Sequence, residues 1–157
     1  NTEEVKEFTK WDFRGLYGYG DFSLSNVDMT TSKEYINYLI EFCIKNDVPC
    51  LDSLLNRTDD ISSYLYACLF YGKCAICGKD AEIHHHERIG IGRARRSVVH
   101  LGMEAISLCR VHHNEAHSTA GFCDKYHIYG IKLDKIICNK RRLNIGDSLE
   151  SEDNYAK

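Results

Sequence analysis

Cys74-Ala-Ile-Cys77 and Cys109-Arg-Val-His112 each put two soft metal ligands three positions apart, with residues 78–108 between the pairs. Two thiolates at this spacing in a tight turn can face one ion, and Gly78 permits the left-handed residue such a turn needs. A lone CxxC is also a redox motif. A redox pair usually opens a helix, however, and a metal pair needs two further ligands, which Cys109 and His112 supply. Cys74, Cys77, Cys109 and His112 therefore form a Cys3His tetrahedral set for a structural Zn²⁺. The gap is too long for one small finger and suits a clamp that closes a subdomain. The bland alternative, ordinary buried thiols, leaves two matched pairs to coincidence.

The chain has 157 residues, 43% of them apolar. That allows one compact domain, or a small domain with an appendage. No apolar run approaches the roughly 20 residues that span a bilayer, so no membrane partner is expected. No signal-peptide pattern opens the chain, and its first residue is not Met, which points to a trimmed or partial sequence. Eight cysteines could make four disulfides in a secreted domain. The apolar content and the clustering of Cys with His favour thiols in a reducing cytoplasm, some of them on metal. Net charge is −3, which alone argues mildly against nucleic acid. The charge is uneven, though. Arg88, Arg93, Arg95, Arg96 and Arg110 face only Glu104 in that stretch, while Asp147–Asp153 is acidic. A local basic strip can bind phosphate on a chain of negative total charge.

Three segments are expected. Residues 1–72 form an aromatic and helical support. The aromatic, Gly-rich residues 1–30 read as irregular structure or short strands. Thr31 with Glu34 resembles a capping box, followed by Tyr35, Ile36, Leu39, Ile40, Cys43 and Ile44 at helical spacing and a stop at Asn46-Asp47. A second helix starts at Asp59 or Asp60 and closes at Gly72. Cys43, Cys50 and Cys68 are expected in the core. Residues 73–145 carry the chemistry and a basic C-terminal extension, in which Lys140, Arg141 and Arg142 could lengthen a phosphate track. Residues 146–157 form an acidic tail expected to be disordered.

Glu82-Ile-His-His-His-Glu-Arg88 puts three imidazoles side by side. Ala81–His85 reads as a strand leaving the knuckle. Strand neighbours point to opposite faces, so one histidine can bind metal while the next faces a substrate. His113-Asn-Glu-Ala-His117 puts two histidines on one helical face. The clamp ends next door, at His112, and would hold this helix against the strand. His84, His113 and His117 can then converge on a second ion.

The segments CAIC, IHHHERIG and LCRVHHNEAH, in this order and spacing, resemble the HNH endonucleases of the ββα-metal class. HHHERIGIGR, HLGMEAISLCRVHHNEAH and GFCDKYHIYGIKL are similar to HNH nucleases encoded by bacteriophages of Gram-positive hosts. The resemblance implies an α+β fold: a ββα-metal core with the Cys3His zinc and added N-terminal helices. It implies His84, His113 and His117 as ligands of the catalytic ion and His85 as general base. His86 leaves a shifted pair, His85 with His86, open; the position of HH directly after the knuckle's strand favours His84 with His85. The usual Asn has no clean match. His100 stands in its place, to orient the base or touch phosphate, and Asn114 is a poor substitute because it follows a ligand. His127 lies outside the cluster.

The expected activity is metal-dependent cleavage or nicking of DNA in a host cytoplasm, as part of phage DNA metabolism. Three imidazoles suit Mn²⁺, Ni²⁺, Co²⁺ or Zn²⁺ better than Mg²⁺. Arg93, Arg95 and Arg96, in a loop with Gly90 and Gly92, offer phosphate contacts. A monomer or a homodimer fits equally. The competing readings are a non-catalytic, zinc-stabilised nucleic-acid-binding module and a structural protein whose histidines form one more clamp.

Overall fold

The computed structural model describes residues 1–50, 52–86 and 98–146. Helix and a small sheet are mixed, in an α+β arrangement. Residues 1–17 depart from expectation: α1 runs Thr2–Tyr17 as a continuous helix. Asn1 caps it through the backbone N–H groups of Glu3 and Glu4, and Gly18, in the left-handed region, ends it. The pattern hid this helix because its apolar residues do not mark its buried side. Thr9 and Phe13 are buried, whereas Val5, Phe8, Trp11 and Leu16 are exposed. Phe13 is the hub of an aromatic cluster with Tyr17, Tyr19, Phe22, Tyr35 and Tyr38, and this joins α1 to α2.

Helix α2 spans Met29–Lys45 and stops at Asn46. Its N-cap is Asp28, not Thr31. The Asp28 carboxylate accepts from the N–H groups of Thr30 and Thr31, and the Thr31 hydroxyl donates to it at 2.6 Å. A carboxylate three residues upstream thus caps the helix one turn earlier than the Thr-Glu pattern suggests. A 3-10 turn, Leu54–Arg57, leads to α3, Ile61–Tyr71, capped by Asp60 and closed by Gly72. Cys68 is buried in α3, but Cys43 is half-buried and Cys50 exposed. Cys50 follows Pro49 in the connecting loop, where its exposed thiol donates to the Val48 carbonyl and neighbours Cys43, so the core reading fails for it. No disulfide joins any of the eight cysteines.

Strands β1 (Glu82–His85), β2 (Glu104–Leu108) and β3 (Ile131–Lys132) form an antiparallel sheet in that order. The helices α4 (Arg110–Ser118), α5 (Phe122–Tyr126) and α6 (Lys135–Arg141) complete the described chain. Leu65 and Cys68 of α3 pack with Ile106 and Leu108 of β2, together with Cys74 and Phe122. Leu69 meets Ala105, Leu133 and Ile137. One side of α3 therefore backs β2 and β3, and β1, paired to β2, and α4 are mounted on that base. No helix among the described residues is long and apolar enough to cross a membrane. The arginines Arg93, Arg95 and Arg96, and the expected disordered tail beyond Gly146, lie outside the described residues.

Candidate metal centres and imidazole pair

The knuckle is built by backbone geometry. The Gly78 N–H donates to the Cys74 carbonyl and the Cys74 N–H to Lys79, with Gly78 at φ 70°. The Ala75 N–H donates to Ser107 of β2, which ties the turn to the sheet. Cys109 is the N-cap residue of α4, so Cys109 and His112 sit on its first turn. The four ligand atoms of Cys74, Cys77, Cys109 and His112 lie within 4.8 Å of one another. Cys77 and Cys109 sulfurs are 3.7 Å apart, and the His112 Nδ1 is 3.4 Å from Cys74 and 3.3 Å from Cys109. A tetrahedron with Zn–S about 2.3 Å and Zn–N about 2.0 Å has edges of roughly 3.5–3.8 Å. The observed edges match that size, so the cluster can bind a metal such as zinc. Burial pushes the Cys77 thiol up to about 11. Burial also raises Cys109, but backbone donation at His112 and the contacts with Cys77 and Cys74 outweigh it, leaving a thiol that ionises more readily than usual. Coordination would take the protons from the thiols outright.

The second cluster joins β1 to α4. His84, His113 and His117 offer ligand atoms within 4.8 Å of one another. Their ring centroids are 4.7 to 5.0 Å apart. Nδ1 of His84 and of His113 are buried without a hydrogen-bond partner, a cost that a bound cation would remove. Burial first, then the neighbouring His113 and His117, pushes His84 down to about 4. His113 is lowered by burial, against the pull of Glu82. Both effects keep the rings neutral, the form that donates a lone pair to metal. The three donors therefore fit a divalent ion, and three protein ligands leave positions for other groups.

His85, the next residue on β1, faces elsewhere, as strand alternation requires. Its Nε2 lies 2.8 Å from Nδ1 of His100, with the rings tilted at 38°. His85 is lowered by burial and then by His100, and His100 by burial. His86 is exposed and follows the strand as a bend, its N–H donating to Glu104. Among the described residues it joins neither metal-ligand group. Asn114 is exposed on α4, and His127, at φ 53°, caps α5. Arg141 turns inward and donates to the Ala81 carbonyl, away from the expected phosphate track.

One neighbour was not anticipated. Glu82 Oε2 is 3.8 Å from His113 Nδ1, and its other oxygen meets Arg110 at 3.2 Å. At that distance Glu82 makes no hydrogen bond to the ring and acts instead as a negative charge beside the three histidines. The available signal was the alternation that puts Glu82 and His84 on one strand face.

A family model described as "Putative HNHc nuclease" matches residues 2–144. The chain belongs to this HNH family. No curated protein and no solved structure matches it significantly. Membership implies nuclease activity and a nucleic-acid substrate. The matched span takes in α1 and α2 as well as the histidine clusters, so the helical segment is part of the family's own pattern.

Proposed function

We propose that the chain is a metal-dependent endonuclease or nickase that hydrolyses DNA phosphodiester bonds. Residues 73–145 form its ββα-metal nuclease unit, with β1, β2 and α4 around the catalytic ion. Residues 1–72 form the support, and 146–157 a separate acidic tail. The carrying observation is the division of labour on β1: His84 meets His113 and His117, while the adjacent His85 meets His100. A single structural clamp would have no use for a second, oppositely directed imidazole pair.

His84, His113 and His117 would hold one divalent cation, Mn²⁺, Ni²⁺, Co²⁺ or Zn²⁺ before Mg²⁺. Such a cation supplies Lewis acidity to the phosphate oxygens and the departing 3′ oxygen. His85 takes a proton from the attacking water as the water oxygen bonds to phosphorus in line and the bond to the 3′ oxygen breaks. A neutral imidazole suits this role, and positioned general bases contribute about 10²–10⁴-fold. The 3′ oxygen leaves with the electron pair of that bond and takes a proton from solvent water, so the products carry 5′-phosphate and 3′-hydroxyl ends. Arg93, Arg95 and Arg96 grip phosphate without sequence preference. The similarity to phage enzymes supports a role in phage DNA metabolism inside a host cytoplasm.

Supercoiled plasmid incubated with protein and Mn²⁺ tests this. The wild type nicks or linearises it. His85→Ala loses cleavage by about 10²-fold or more while its metal content stays the same. Retardation of DNA without cleavage would mean a binding module, and neither result would mean a purely structural protein.

A further inference from the structure

The 2.8 Å contact between His85 Nε2 and His100 Nδ1 needs one proton between two nitrogens. Two neutral arrangements satisfy it. If His100 donates, His85 spends its Nε2 lone pair on that bond and carries hydrogen on Nδ1, so no free base remains. If His85 donates, its Nδ1 lone pair is left open to a water. Only the second arrangement is compatible with His85 as general base. We propose that His100 is a positioning residue that locks His85 as the Nε2–H tautomer, making Nδ1 the proton-accepting atom. This rests on the nuclease reading above. When Nδ1 gains the proton from water, His85 becomes imidazolium, and its bond to the His100 lone pair becomes charge-assisted and stronger.

The backbone around His100 is built to hold that acceptor still. The His100 N–H donates to the Asn144 carbonyl at 2.8 Å, and the His100 carbonyl accepts from Met103 at 3.0 Å. Gly102, at φ 80°, completes the turn and donates to the Leu133 carbonyl at 2.8 Å. Leu133 is 1% exposed and returns a bond to Met103 at 2.9 Å. Gly146 packs on the Val99 side chain, where a Cβ would sit 3.1 Å from the nearer methyl. Leu133 before α6 and Asn144 after it therefore form a brace. It holds the turn that carries His100, and through it the ring of His85.

Long-range ¹H–¹⁵N spectra of protein labelled at histidine, with Zn²⁺ as the only metal, read the tautomer directly. The His85 signals are assigned by their absence in His85→Ala. Wild type should show His85 protonated at Nε2 and bare at Nδ1. His100→Ala should give mixed tautomers and lower kcat about 10²-fold with KM unchanged. His100→Asn, whose Oδ1 can accept the same bond, should restore the tautomer and most of kcat. A wild-type His85 protonated at Nδ1, or His100→Ala with undiminished kcat, overturns the proposal. The wild-type spectrum decides even if His100→Ala fails to fold. Cleavage that survives His85→Ala would instead remove His85 as the base, and a wild type that does not cleave would sink the nuclease reading itself.

Discussion

Cys77 and Cys50 are both exposed thiols, yet their surroundings assign them opposite consequences. Cys77 sulfur is 3.7 Å from Cys109 sulfur, inside the Cys3His group. Cys50 sits in a loop and touches the Val48 carbonyl. Cys77→Ser should therefore lower zinc content by about one equivalent and destabilise the fold by several kcal/mol, on the order of a lost structural site. Cys50→Ser should change stability by no more than about 0.5 kcal/mol. Metal analysis with urea titration of both variants checks the contrast; equal midpoints would remove the metal assignment from Cys77. Spacing marked the four clamp residues and the pair His113 and His117, because ligand pairs at i, i+3 and i, i+4 are local; the family resemblance is what favours His84 among the three adjacent histidines. The partner of His85 was not legible from spacing; the family resemblance points to His100, with orienting the base and touching phosphate both left open. The His85–His100 contact spans 15 positions and depends on a backbone bond to Asn144, which no local pattern encodes. Glu82 was hidden for a related reason. Its role depends on α4 crossing β1, not on its neighbours in sequence.

Helix boundaries follow the same rule. Asp60 and Gly72 were legible because a cap and a left-handed stop act within one turn. Helix α1 was not, since its buried face carries Thr9 and Phe13 while its other large apolar side chains point outward. β3, two residues long, is too short to show a period. Gly72 also has a role beyond stopping α3. A Cβ there would enter the guanidinium of Arg141, which donates to the Ala81 carbonyl at 2.9 Å. Gly72→Ala should cost about 2–3 kcal/mol, from left-handed strain plus that lost bond. Gly18→Ala, at a similar φ of 73° with nothing near its Cβ, should cost only the strain, about 1–2 kcal/mol. Matching losses in chemical denaturation would refute the Arg141 argument. The caps predict a pH effect. The Asp28 carboxyl is held below its usual range by the Thr31 hydroxyl first, and Asp60 by the Ser63 backbone N–H first. As pH falls, the unfolded chain takes up these protons before the folded one. The stabilisation is therefore complete above the ordinary carboxylate pKa of about 4 and is lost as pH drops through the lower folded values. Wild type should exceed Asp28→Asn/Asp60→Asn in stability at neutral pH, and the gap should narrow from about pH 5 to about pH 3. A gap independent of pH would mean that the charges contribute nothing.

At the scale of the molecule, the two clusters differ in what they hold together. Cys74 is fully buried and belongs to the same core as Leu65, Cys68, Ile106 and Leu108. Its group fastens the knuckle to α4, so its ion would act as part of the core. His117, by contrast, is exposed, and the imidazole cluster lies where β1 and α4 meet, outside that core. The first site is closed by four protein ligands, and three of them are sulfur; the second offers three nitrogens and open positions. Soft thiolates hold zinc far more tightly than an open imidazole set holds a borderline ion. A mild chelator at neutral pH should therefore abolish cleavage while leaving far-ultraviolet dichroism and the cooperativity of melting unchanged, and added Mn²⁺ should restore activity. Zinc capture assisted by a thiol-modifying mercurial should empty the Cys3His group, and melting should become broad and non-cooperative. The release curve should show two steps, the first tracking activity and the second tracking structure. A single step in which both vanish together would mean that one ion serves both purposes, and the separation of scaffold from catalytic centre would fall.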